Sequence, residues 1–109
     1  MVKHDVKIIS DEIWSDFIME GKHTPAWSVS ELAKDKVSAM YACTKTFNLA
    51  GLVGAYSVIH NDECRAKCRE LAAQTHYNQP NVLSVHALVG AYNEGAEYVD
   101  ELLKVIKSN

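Results

Sequence analysis

The chain has 109 residues, 48% of them hydrophobic and 23% charged, with a formal net charge of -3. That length holds one domain at most, and a core of that size stands alone only if most apolar faces find partners. The eleven Lys and Arg residues are scattered, without like-charge runs or interleaved aromatics, which excludes nucleic acid as a partner class. No apolar run reaches the roughly 18 residues that span a bilayer, and the charged start Met1-Val2-Lys3-His4-Asp5 lacks the apolar stretch of a signal peptide, so the expected address is the cytoplasm.

In chain order, Val6 to Ser10 reads as a first strand ending at Ser10-Asp11, and Ala39 to Cys43 as a second ending at Thr44-Lys45. Their apolar residues run together instead of alternating, which predicts strands buried on both faces. Between them Ser28-Val29-Ser30-Glu31 has the form of a capping box opening a short helix. Strand, helix and strand make a βαβ unit, so the two strands are predicted to be parallel with Asp11 and Lys45 at one edge of the sheet. Val53 to His60 is a third strand candidate, and the short connection from Lys45 favours an antiparallel neighbour. Asn61 is placed to cap a helix running to about His76, with Asp62 and Glu63 in its first turn, and Tyr77-Asn78-Gln79-Pro80 breaks it. Asn81 can cap a second helix carrying Val85, Leu88, Val89 and Tyr92 at helical spacing. After a bend at Asn93-Glu94-Gly95, the stripe Val99, Leu102, Leu103 and Ile106 predicts a last helix.

Three cysteines, Cys43, Cys64 and Cys68, make an odd number, which reads as reduced thiols rather than a disulfide framework. Cys64 and Cys68 could share a metal from one helix face, but no second ligand pair is spaced to complete a tetrahedral site, so no metal is expected. His60, His76 and His86 have no metal-site spacing either, and His23 before Thr24-Pro25 reads as a turn residue.

The segments Ser10-Asp11-Glu12-Ile13-Trp14-Ser15-Asp16, Gly21-Lys22-His23-Thr24-Pro25 and above all Thr44-Lys45-Thr46-Phe47-Asn48-Leu49-Ala50-Gly51-Leu52 carry a family resemblance. The chain resembles the fold-type I pyridoxal 5'-phosphate (PLP) enzymes of the class I/II aminotransferase superfamily, and within them the cystathionine β-lyase-like C–S lyases of the MalY/PatB group. The likeness runs over essentially the whole chain, through Thr75-His76-Tyr77-Asn78 and the Ala91-Tyr92 helix to Asn109. Full-length members are several times longer. The resemblance therefore implies that residues 1–109 are the C-terminal half of an α/β large PLP-binding domain, with two parallel strands, an antiparallel one and flanking helices, ending in the helix that leads towards a small domain.

The resemblance also implies roles. Lys45 would be the catalytic residue, joined to the cofactor's aldehyde carbon and then, once displaced by a substrate amine, the general base at Cα. Asp11 would hold the ring nitrogen protonated, Thr44 would lie near the phosphate, and Trp14 would stand where relatives place a His or Tyr near the cofactor's phenolic oxygen. Aminotransferases of the wider superfamily have an arginine eight residues after the lysine; Val53 stands there, which favours the C–S lyase branch. The implied reaction is β-elimination of a sulfur amino acid such as cystathionine to a thiol, pyruvate and ammonia. Two alternatives stay open: transamination of an amino acid, and a non-catalytic truncated fragment acting as an association module. The isolated chain is expected to be inactive and to self-associate, as a homodimer or through its sheet edge.

Overall fold

Two short β-branched runs pair as parallel strands, β1 (Ile8–Asp11) and β2 (Val37–Tyr41), with Ile8 opposite Val37 and Asp11 opposite Met40. The computed structural model describes residues 4–77 and 79–109; the charged start Met1–Lys3 and Asn78 of the helix break lie outside the described residues. The chain crosses from β1 to β2 through a 3-10 turn (Ala26–Ser28) and helix α1 (Glu31–Lys36), the βαβ arrangement expected of parallel neighbours. β3 (Tyr56–Ile59) adds to the other side of β2, giving a mixed sheet in the order β1-β2-β3.

Three expectations are corrected here. The strands begin and end elsewhere: β1 starts at Ile8 and reaches Asp11, while β2 starts at Val37 and stops at Tyr41, short of Cys43. β1 is not buried on both faces, since its burial alternates and Ile9 is 75% exposed. As an edge strand it has a neighbour on one side only, and no described element covers the outward face of Ile9. The capping residue of α1 is Ser30, whose hydroxyl accepts from the Ala33 N–H at 3.0 Å. Ser28 belongs to the preceding turn and donates to the Pro25 carbonyl at 2.7 Å, so the box opening at Ser28 does not form.

The chain divides into two compact units. The first holds the segments up to Glu12, Thr24–Met40 and Ser57–Gln79, and so contains most of the sheet, α1 and helix α3 (Asp62–Thr75). The Asn61 side chain caps α3 by accepting from the Cys64 N–H at 2.8 Å while its amide donates to Asp35 at 2.5 Å. Asp62 and Glu63 lie in the first turn, where the helix dipole favours negative charge. His76 ends the helix in the left-handed region at φ 52°. Trp27 packs on the His60 ring, with centroids 4.6 Å apart.

The second unit holds Ile13–His23, Tyr41–Tyr56 and Pro80–Asn109. It contains a one-turn helix, α2 (Cys43–Thr46), and the long helices α4 (Val82–Glu94) and α5 (Ala96–Ser108). Asn81 caps α4 by accepting from the Ser84 N–H at 2.9 Å. Phe47 lies edge-on to Tyr92 and near Tyr98, and Tyr56 stacks on Tyr41, so one aromatic cluster joins the segment after α2 to both long helices. Gly95, at the bend between α4 and α5, is in the closest contact with this cluster: a Cβ there would collide with the Phe47 ring and the Ala91 carbonyl.

Candidate functional site

Asp11 is the last residue of β1 and is exposed there, paired in register with Met40. The next residue fixes this strand end. Glu12 is only 7% exposed, its N–H donates to the Met40 carbonyl at 3.0 Å, and its carboxylate accepts from the Ser10 hydroxyl at 3.0 Å and the Ala26 N–H at 2.9 Å. A carboxylate left unpaired at that depth would be costly, and the two donors satisfy it while tying β1 to the crossover. Asp11 belongs to the first unit; Trp14, Thr44 and Lys45 belong to the second.

Lys45 does not end a strand, as the sequence suggested. β2 stops at Tyr41, and the lysine lies within α2, where Cys43, Thr44 and Thr46 are buried and Lys45 alone is exposed. The turn closes with Asn48 in the left-handed region at φ 54°, the Leu49 N–H donating to the Thr44 carbonyl at 2.8 Å and the Asn48 N–H to the Lys45 carbonyl at 3.4 Å. This is a Schellman closure, which asparagine tolerates better than residues with bulkier side chains. Among the described residues the Lys45 amine has no hydrogen-bond or ion-pair partner. Beside it, Thr44 is 9% exposed and its hydroxyl also lacks a partner among the described residues. Trp14 is 59% exposed, with its ring 5.3 Å from that of Phe17.

The structure thus brings Thr44 and Lys45 together on one turn. It also shows a residue that the sequence reading passed over: the Thr46 hydroxyl donates to the Asp16 carboxylate at 2.6 Å, linking the Trp14 segment to α2. Nothing local in Ile13-Trp14-Ser15-Asp16-Phe17 marks Asp16 as different from a solvated loop acid, because its partner lies 30 residues away. The buried Glu12 was passed over for the same reason: its backbone-donor partner is 14 residues downstream. Burial pushes the Cys43 thiol pKa up, making it a packing residue of the turn. Among the described residues no group of three or more His, Cys, Asp or Glu could hold a metal ion, and no described helix is long and apolar enough to cross a membrane.

The family of Aminotransferase class I and II matches residues 1–109. The chain belongs to this family. Among curated relatives, cystathionine beta-lyase PatB of Bacillus subtilis (strain 168) is 36% identical over 109 residues, covering 99% of this chain and 28% of PatB. Protein MalY of Escherichia coli (strain K12) is 35% identical over 98% of this chain and 27% of MalY. Among solved structures, a PLP-bound putative aminotransferase from Clostridium difficile 630 superposes with a TM-score of 0.93 at 34% identity, over 98% of this chain and 28% of that one. Cystalysin from Treponema denticola, solved with pyridoxal 5'-phosphate, gives a TM-score of 0.86 at 31% identity, over 99% of this chain and 28% of cystalysin. The chain therefore spans little more than a quarter of the length of the relatives it matches. Within the family, the α/β fold with a mixed sheet is that of PLP-dependent aminotransferase structures.

Proposed function

We propose that this chain is the C-terminal half of the large, cofactor-binding domain of a PLP-dependent C–S lyase acting on sulfur amino acids such as cystathionine. One observation carries the reading: a one-turn helix buries three of its four side chains and presents the fourth, Lys45, as an exposed amine without a partner among the described residues. The neighbouring Thr44, a buried residue whose hydroxyl has no partner among the described residues, fits a group with acceptor oxygens. These residues suit PLP, and relatives named cystathionine beta-lyase at 36% and 33% identity support the C–S lyase branch.

Bound there, PLP supplies an electron-withdrawing ring that stabilises negative charge developing at the substrate Cα. Lys45 Nζ is the group that would hold the aldehyde carbon, and its amine, when free, would accept the Cα proton as general base. The Asp11 carboxylate would favour a proton on the ring nitrogen through its negative charge. Thr44 would offer its hydroxyl to a phosphate oxygen, and the Trp14 indole N–H, which donates but cannot exchange protons, would help to orient the ring. The substrate's Cβ–S bond would break to release the sulfur substituent as a thiol, and water would hydrolyse the remaining three-carbon enamine to pyruvate and ammonia. The cytoplasm is the compartment this reading assigns.

Transamination is the second reading, supported by the structural likeness to a putative aminotransferase. Full-length protein carrying this chain, given cystathionine, is expected to release pyruvate and ammonia in equal amounts without an oxo-acid acceptor, and Lys45→Ala is expected to abolish the release. Amine transfer to an added oxo acid without ammonia would favour the aminotransferase, and undiminished pyruvate release from Lys45→Ala would refute both.

A further inference from the structure

A single helical turn has no stability of its own, because fixing its backbone angles costs more than its few hydrogen bonds return. The geometry of α2 must therefore come from its surroundings. Its C-terminal end is closed by Asn48 and Leu49, as described above. Its last residue, Thr46, is 1% exposed, so its hydroxyl needs an acceptor within the protein. It does not use the carbonyl of the preceding turn. It donates instead to the Asp16 carboxylate at 2.6 Å, the short distance of a charge-assisted bond. Asp16 itself is held by the turn in which the Phe17 N–H donates to the Trp14 carbonyl at 3.1 Å. The two threonines flanking Lys45 thus differ: the Thr46 hydroxyl is committed to Asp16, while that of Thr44 is left available.

We propose that Asp16 is a positioning residue for Lys45: by accepting the buried Thr46 hydroxyl, its carboxylate locks α2 in the orientation that presents the lysine amine outward. The inference rests on the assignment of Lys45 made above, and it gives the exposed acid five residues after Asp11 a role distinct from cofactor contact. The bond fixes Thr46 about its Cα–Cβ axis, and the adjoining peptide carries Lys45, so loss of the bond frees the lysine backbone without touching its side chain.

The test is amide hydrogen exchange on the full-length protein carrying this chain, combined with borohydride fixation of PLP and peptide mapping. Asp16→Ala is expected to speed exchange at Phe47 and Leu49 by about tenfold or more, the consequence of losing a hydrogen bond to a charged group, while amides in α5 keep their rates. Asp16→Asn keeps an acceptor oxygen and should restore most of the protection. The double variant Asp16→Ala/Thr46→Val should exchange no faster than either single variant, since both remove the same bond. In parallel, the share of fixed PLP on Lys45 should fall in Asp16→Ala and return in Asp16→Asn. Unchanged exchange at Phe47 and Leu49, or additive effects of the two substitutions, would overturn the lock; so would equal acceleration throughout α5, the sign of general destabilisation. Turn-specific acceleration in a chain that shows no preference of PLP for Lys45 would sustain the lock and refute the assignment of Lys45 instead.

Discussion

Lys45 lies between two threonines that the turn treats differently, and Asn48 closes that turn at positive φ. Replacing Asn48 by Val is expected to destabilise the second unit by about 1–2 kcal/mol, the cost of the left-handed conformation for such a residue, whereas Asn48→Gly should be close to neutral. Thermal melts of the two variants check this. Asp11→Asn, in the full-length protein, is expected to retain PLP yet slow Cα deprotonation by about a hundredfold or more, because the lost charge matters most as negative charge develops. Loss of the α-hydrogen isotope from deuterated substrate measures it, and an unchanged rate would remove Asp11 from the mechanism. Lys45 and Asp11 stand out in the sequence as candidates because the segments that carry them resemble the family's motifs. Thr46–Asp16 and Glu12–Ala26 could not, because each joins residues 14 or more positions apart and the bond exists only once the chain has folded.

Helix ends were more legible than strand ends. Asn61 and Asn81 bind the backbone of their own first turns, so α3 and α4 begin where the sequence places them. The strands shifted by up to three residues at an end, β3 starting at Tyr56 rather than Val53, and the second strand expected to reach Cys43 stops at Tyr41, because Cys43 instead opens the helical turn of α2, which tertiary contacts impose. The bend between α4 and α5 yields a further expectation. Gly95 has φ -87°, which alanine also adopts, so Gly95→Ala should fail for steric reasons alone, costing about 1–3 kcal/mol as Phe47 and the Ala91 carbonyl are pushed aside. Phe47→Leu in the same background should recover part of the loss, and a melt showing Gly95→Ala as stable as the parent would contradict the packing.

Over the whole molecule, the shifted groups define a pH window. Lys36 lowers the Asp5 pKa, Asn61 lowers that of Asp35 and Lys67 lowers that of Glu63, so the stability these exposed carboxylates contribute is present above their ordinary values and lost as pH falls through the lowered ones. Burial raises the Cys43 thiol and, with the Tyr56 hydroxyl, the Tyr92 phenol; their contribution is present at neutral pH and lost in alkali, once the unfolded groups ionise first. Stability is expected to be flat from about pH 5 to about pH 8 and to fall on either side, which denaturant titrations across and beyond that range would check. The chain also leaves apolar side chains such as Ile9, Leu71, Val82 and Val105 in solvent. We expect it to self-associate when isolated and to show no turnover of cystathionine.

The central claim, that the outward amine on α2 carries the cofactor, is tested most directly by adding PLP to the full-length protein, reducing with borohydride and mapping the labelled peptide by mass spectrometry. The account expects one dominant adduct, on Lys45 in the peptide containing Thr44 and Thr46, absent from Lys45→Ala. A dominant adduct on Lys22, Lys34 or another lysine, with Lys45 unmodified, would contradict it.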